Sequence, residues 1–291
     1  MTTPAQPTHS PLNKEATLRL IRLGLAEDFA HGPDATSEAT INMDAVLTAQ
    51  VVPRQDGTVA GLDVVGWTMH EISAAVDVSV HAADGDRVTA GDCLATVSGP
   101  ARVILSAERT ALNLLTYASG IATGTSAWTE VISGTRARVR DSRKTLPGYR
   151  DLAKYAVRCG GGINHRMSLG DAALIKDNHV ASVGRAADAY RRTAKAFPDL
   201  PLEVEVDDLD QLTEVLELEP NLVMLDNFGV EDTRVAVARR DALSPATMLE
   251  SSGGLTLDRA RAYAETGVDF LAVGALTHSV TILDIGLDAL P

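Results

Sequence analysis

Apolar positions near the start of the chain recur at helical spacing. Leu18, Ile21 and Leu25 share one face of the stretch 13–28, which predicts an amphipathic helix there. From about Thr40 to Gly99 the pattern changes to short alternating segments, LTAQVV, VDVSVHA and CLATVSG, punctuated by Asp56-Gly57 and Asp84-Gly85. These features predict antiparallel strands in a small α+β domain. Within it, DGDRVTAGDCLATVSG has the pattern of half a biotinyl or lipoyl carrier hairpin, but no lysine stands at its tip to carry a cofactor, so it reads as structural. A helix follows over about 107–118. Beyond it six apolar runs, ARVRD, AALIKD, LEVEVD, LVMLDN, TMLESS and FLAVGA, alternate with helical stretches, and their polar ends recur about every 20 to 36 residues. Six βα units predict a parallel sheet closed or nearly closed into a barrel, with an open doubly wound sheet as the alternative.

Composition narrows the class. The 291 residues are 45% hydrophobic and carry a net charge of −13, which describes an ordinary globular protein and argues against a nucleic-acid surface. Cys93 and Cys159 are too few for a disulfide framework or a structural zinc site and fit a reducing compartment. No run approaches the roughly 20 apolar residues of a membrane span. The opening MTTPAQPTHSPLNKE lacks a basic start followed by an apolar stretch, so residues 1–11 read as a tail on a cytoplasmic protein. The charge is uneven, however. Residues 136–176 hold ten Lys or Arg against three Asp and net +7, while the rest nets −20. Many of these cations stand beside glycines and strand-like runs, as in RVRDSRKTLPG and GGGINHRMSLGDAALIKDNH, and not at i, i+4 spacing with acidic partners. That pattern suggests a site for a small, multiply anionic ligand.

The reacting groups of an α/β barrel come from the C-terminal ends of its strands. Here those ends supply Arg143 and Lys144, Lys176, Glu205, Asp226, Ser252-Gly253-Gly254, and Gly274-Ala275. In LEVEVD, strand alternation puts Glu203 and Glu205 on one face and Leu202, Val204 and Val206 on the other. A carboxylate pointing into a barrel requires a compensating charge or a ligand. A structural salt bridge explains any one of these residues, but not all six strand ends together. The glycines at the last two ends would let backbone N–H groups approach an anion, and the last two loops of a barrel are a common phosphate site. With no GxxxxGK[ST] loop and no strand-borne GxGxxG, triphosphate and dinucleotide readings lose their usual support. Gly160-Gly161-Gly162 reads as a loop presenting Asn164, His165 and Arg166. Many cations, two acidic groups and a phosphate cradle suit a phosphorylated sugar whose anomeric carbon becomes positive during reaction.

Taken in order, LAEDFAHGPDATS, SAERTALNLLTYASGIAT, DSRKTLPGYRDLAKYAVRCGGGINHR, LGDAALIKDNHV, LEVEV, VMLDNF, ESSGGL and TGVDFLAVGALTHS span about 25–287. Together they resemble the quinolinate phosphoribosyltransferase family, also called nicotinate-nucleotide pyrophosphorylase (carboxylating). Ser142 stands where that family usually has Thr, Ser168 where Gly is common and Ser251 where Ala is common, and Pro33 loosens the N-terminal acidic motif. None of these removes a charged position. The resemblance implies an N-terminal α/β sandwich over 12–112, joined by the segment 280–291, and an incomplete α/β barrel over 113–279. It implies transfer of a phosphoribosyl group from phosphoribosyl pyrophosphate to quinolinate with decarboxylation, assisted by Mg²⁺, giving nicotinate mononucleotide, pyrophosphate and CO₂ in NAD biosynthesis. By motif, Arg109, Arg143, His165, Arg166 and Lys176 would surround quinolinate. Lys144, Glu205 and Asp226 would be catalytic, the two carboxylates also serving the metal. Ser142, Lys144, Lys176, Ser252, Gly253, Gly254, Val273, Gly274 and Ala275 would bind phosphoribosyl pyrophosphate. The resemblance further implies a homodimer, or a higher assembly built on it, in which Arg109 comes from the partner subunit. Three alternatives stay open: a phosphoribosyltransferase acting on nicotinate or a related base, a Schiff-base lyase using Lys176, and an anion-sensing module without turnover.

Overall fold

The computed structural model describes residues 10–291. The tail expected over 1–11 therefore falls largely outside the described residues; Ser10 and Pro11 are exposed, and Leu12 is buried. Along the chain run α1 (Lys14–Asp28), α2 (Ala35–Thr40), β1 (Val46–Pro53), β2 (Gly57–Thr58), α3 (Asp63–Ile72), β3 (Asp77–Val80), β4 (Arg87–Val88), β5 (Ala95–Pro100) and α4 (Ala101–Val131). Then come β6 (Arg138–Arg140), α5 (Arg150–Cys159), β7 (Ala173–Ile175), α6 (Asp177–Val183), α7 (Ala186–Ala196), β8 (Leu202–Val206), α8 (Leu209–Leu216) and β9 (Leu222–Asp226). The last elements are α9 (Val230–Leu243), β10 (Met248–Ser252), α10 (Leu257–Ala264), β11 (Phe270–Ala272), α11 (Ala275–His278) and β12 (Ile285–Ala289). They form two compact units. One runs up to Ser126, takes in Thr145–Gly161 and ends with Leu276–Pro291; the other comprises Ala127–Lys144 and Gly162–Ala275.

In the first unit, Asn13 caps α1 by accepting the N–H of Ala16, and Ile21 and Leu25 are buried as their spacing predicts. The antiparallel sheet has the order β12-β1-β5-β3, with Val51 opposite both Ala95 and Leu287. Its apolar face packs Ala49, Val51, Ala95 and Val97 against Ile104 and Leu115 of α4. Three features depart from the sequence reading. Within the stretch read as strands lies α3, whose buried Val64, Val65, Thr68 and Met69 make a helical stripe. The helix expected over 107–118 extends to 31 residues, because small and apolar side chains keep returning to one face as far as Trp128. And Arg150, Lys154 and Arg158 stand at i, i+4 spacing on α5, so part of the basic segment is helical after all, with Lys154 fully buried.

The second unit holds all six expected strands, paired in parallel in the order β6-β11-β10-β9-β8-β7. From β7 to β11 spatial order follows chain order, and β6, the first strand, joins β11, the last. A doubly wound sheet would reverse at a switch point instead. This sheet is an α/β barrel left open between β6 and β7. At the N-terminal ends of its strands Asp269 takes a hydrogen bond from Arg240 at 3.0 Å and one from the Leu249 N–H at 2.8 Å, and also pairs with Arg136. Arg240, buried like a core residue, donates in addition to the Thr247 carbonyl at 2.9 Å.

Candidate active site

The opposite, C-terminal ends of the same strands carry the expected residues. Where β6 ends, the fully buried Asp141 accepts the His165 N–H at 2.8 Å and the Asn164 side-chain amide at 2.6 Å. A parallel bridge between Arg140 and Ile163 adds to this, so the loop after the glycine triplet is pinned to the strand end. Next along the chain, the hydroxyl of Ser142 accepts the Lys144 N–H, leaving the Lys144 side chain exposed.

The cations fall into two groups. Arg143 and Arg166 are half-buried, and the Nε–H of each is buried without a hydrogen-bond partner among the described residues. Burial and the neighbouring Arg143 hold the Arg166 guanidinium below its ordinary range. Two guanidinium groups drawn together out of water form a place for an anion. Lys176, where β7 ends, is instead paired with Glu205 of β8. His165 is buried, its Nδ1 accepting the Arg166 N–H at 2.7 Å and its Nε2 lying 2.9 Å from Glu203 Oε2.

Carboxylates gather at the adjoining ends of β8 and β9, where oxygens of Glu205, Asp207 and Asp226 all lie within 4.8 Å of one another. Burial raises Asp226, and the like charges of Glu205 and Asp207 raise it further against the pull of Lys176 and Lys144. A set of hard oxygen donors with excess negative charge fits Mg²⁺. Asn227 holds Asp226 through a 2.6 Å hydrogen bond and itself adopts φ +56°. Its side chain comes so close to Gly253 that a Cβ there would sit 2.2 Å from Asn227 Oδ1, so only glycine, at φ +90°, allows the two loops to meet. Ser252, Gly253 and Gly254 are at least partly open to solvent. Val273 is buried and its N–H is taken by the Arg140 carbonyl at 2.9 Å, whereas Gly274 and Ala275 reach the surface. Arg109 belongs to the first unit; it lies on α4 with its side chain 67% exposed, 3.9 Å from Glu108.

Residues 34–119 match the model of the quinolinate phosphoribosyl transferase N-terminal domain and residues 121–288 that of the C-terminal domain. The chain belongs to the quinolinate phosphoribosyltransferase family. It is 55% identical to a nicotinate-nucleotide pyrophosphorylase (carboxylating) of Mycobacterium leprae, over 94% of this chain and 97% of that protein. A probable enzyme of the same name from Bacillus subtilis is 36% identical over 93% and 92%. Among solved structures, the nicotinate-nucleotide pyrophosphorylase of Francisella tularensis superposes with a TM-score of 0.91 at 37% identity, covering 96% of this chain and 98% of that one.

For this quinolinate phosphoribosyltransferase family member, reading the sequence missed Glu250, Arg140 and Asp207. Glu250 gave a usable signal, a lone acid inside the apolar run TMLESS. Arg140 gave none, since it was one cation among ten. Asp207 lies one residue beyond the strand, where an acid is ordinarily a solvated turn residue.

Proposed function

We propose that the chain catalyses transfer of the phosphoribosyl group of phosphoribosyl pyrophosphate to quinolinate, with decarboxylation, giving nicotinate mononucleotide, pyrophosphate and CO₂ for NAD biosynthesis. The carrying observation is the presence on one barrel end of two half-buried arginines, Arg143 and Arg166, each with a buried Nε–H that meets no acceptor among the described residues, together with a carboxylate cluster, Glu205, Asp207 and Asp226. Two carboxylates and a pyrophosphate repel one another by several kcal/mol per close pair in a partly dried site, on the order of 4 kcal/mol at 4 Å, so binding them together demands surplus cations. In this reading Arg143, Arg166, His165 and Lys176 surround the diacid, with Arg109 of the partner subunit. Lys144 and Lys176 meet the phosphates beside Ser142, Ser252, Gly253 and Gly254 and the Val273-Gly274-Ala275 turn. Arginine suits bidentate carboxylate binding and lysine suits phosphate.

Chemistry then follows from position. The quinolinate nitrogen donates its lone pair to the anomeric carbon as the C–O bond to pyrophosphate breaks, and Glu205 or Asp226 stabilises the positive charge that develops on the ribose. The resulting pyridinium takes up the electron pair of the adjacent C–CO₂⁻ bond, CO₂ departs, and the ring carbon takes a proton. Mg²⁺, held by Glu205 and Asp226, would neutralise pyrophosphate charge. Incubation of the purified protein with quinolinate, phosphoribosyl pyrophosphate and Mg²⁺ should release CO₂ and pyrophosphate in equal amounts; pyrophosphate without CO₂ would refute the reading.

In the same reading the protein is a cytoplasmic homodimer in which the exposed Arg109 reaches the partner's site; among the described residues no helix is long and apolar enough to cross a membrane. Arg109→Ala and Lys144→Ala proteins should each be nearly inactive. Mixed dimers would place both lesions in one pocket, so an equal mixture should regain roughly a quarter of wild-type activity. No recovery in demonstrably mixed dimers would contradict sharing through Arg109.

A further inference from the structure

Behind Arg166 and the strand-end ring lies a second polar layer that the proposed reaction does not engage directly. Glu203 of β8 and Glu250 of β10 are buried, and Oε1 of each lacks a hydrogen-bond partner among the described residues. The other oxygen of Glu250 accepts a 2.6 Å hydrogen bond from Arg140 Nη1. The other oxygen of Glu203 lies 2.9 Å from His165 Nε2, a nitrogen that is also 3.8 Å from Glu250 Oε1. Across the imidazole, Nδ1 accepts the N–H of Arg166 at 2.7 Å. An imidazole nitrogen that accepts carries no proton, so the ring proton sits on Nε2 and faces the two carboxyl groups. One continuous line of contacts therefore runs from β10 and β8 through His165 to the Arg166 backbone. The Arg166 guanidinium, tied at Nη1 to the Ala172 carbonyl at 3.0 Å, projects from that fixed backbone. Burying carboxyl groups in a barrel interior is costly, and an apolar residue of similar volume would fill the same space without that cost.

We infer that Glu203, backed by the Glu250–Arg140 pair, is a positioning residue: it holds the His165 imidazole and, through Nδ1, the Arg166 backbone, so that the Arg166 guanidinium meets one carboxylate of an aromatic 1,2-diacid. This rests on the diacid reading of the site given above. Asp141 anchors the same loop through the His165 main chain, so Glu203 acts on the ring and not on the loop as a whole.

The test uses the full-length protein and two ligands titrated separately: benzene-1,2-dicarboxylate, the same diacid without the reacting nitrogen, and phosphoribosyl pyrophosphate with Mg²⁺. Glu203→Met keeps the volume and removes the acceptor. It should weaken diacid binding about tenfold, the scale of one lost polar contact in a buried site, and leave phosphoribosyl pyrophosphate binding within about twofold. Glu203→Gln, whose amide oxygen can keep the close polar contact with Nε2–H, should restore most of the affinity. Combining Glu203→Met with His165→Ala should bind the diacid no worse than His165→Ala alone, since Glu203 acts through the ring. Unchanged diacid affinity in Glu203→Met, equal loss of both ligands, or additive losses in the double variant would each overturn the inference while the diacid reading stands. A wild-type protein that binds phosphoribosyl pyrophosphate but no diacid overturns both. If Glu203→Met does not fold, the ¹⁵N shifts of His165 in the wild type decide: a protonated Nε2 with a bare Nδ1 supports the inference, and a proton on Nδ1 overturns it.

Discussion

The two ends of the parallel sheet use the same residue types in opposite ways. At the N-terminal ends of the strands Asp269 sits among Arg240, Arg136 and the Leu249 N–H, and Arg240 is further satisfied by Thr247 and Asp241. Each charge there meets its opposite. At the C-terminal ends the charge of Arg143 acts on the half-buried Arg166, and three carboxylates crowd within 4.8 Å, with Lys176 paired to one of them. A saturated buried network is stable within the folded chain alone. Like charges drawn together raise its energy and are relieved by a ligand of opposite sign. Burial by itself therefore does not separate a strut from a site; the sign of the neighbours does, and the barrel's two ends divide accordingly.

The largest effect should come from removing charge at the ligand end. Glu205→Gln or Asp226→Asn should lower turnover by roughly 10²–10³ while the melting temperature changes little, as expected when a transition-state contact is lost. Steady-state rates and thermal melts on the same preparations check this; a destabilised protein with near-normal turnover per folded molecule would make these residues struts. The mirror experiment is Asp269→Ala, which takes from the buried Arg240 the more buried of its two carboxylate partners and from the Leu249 N–H its acceptor, and should cost roughly 3 kcal/mol in urea unfolding, with turnover per folded molecule unchanged. Full stability in that variant would erase the contrast between the ends.

A smaller effect concerns pH. Burial pushes Glu203 up to about 7, and burial together with the neighbouring Glu203 charge pushes Glu250 up to about 8, both from 4.5. Between 4.5 and about 8 the unfolded chain has lost a proton that the folded chain keeps on Glu250, so this group's contribution to stability falls as pH rises through that window and levels off above it. Glu250→Gln should make the melting temperature less dependent on pH there; parallel curves for the two proteins would show that Glu250 titrates normally.

The sheet was the most legible part of the molecule. Most barrel strands are largely buried runs with a polar end, β6 with its two arginines being the exception, and Glu203 and Glu205 stood out because alternation set them against valines. The helix α3 was hidden because Val64, Val65 and Gly66 look like strand and turn residues until their burial shows a helical stripe. The Lys176–Glu205 pair and the Glu203–His165–Arg166 line were out of reach, since which cation meets which carboxylate depends on side-chain geometry across loops. The basic segment pointed to an anion site, although three of its cations lie on α5.

Selectivity between a diacid and a monoacid tests the central claim most directly. In the proposed reading Arg143, Arg166, His165 and Lys176, with Arg109 of the partner subunit, would meet two carboxylates, and a cation of that site left without its carboxylate once the ligand has shut out water would cost roughly 2–5 kcal/mol. With phosphoribosyl pyrophosphate and Mg²⁺ supplied, quinolinate should be turned over, and nicotinate should be used at least roughly thirtyfold less efficiently, the lower bound of that cost. Comparable kcat/KM for the two acids would contradict the account.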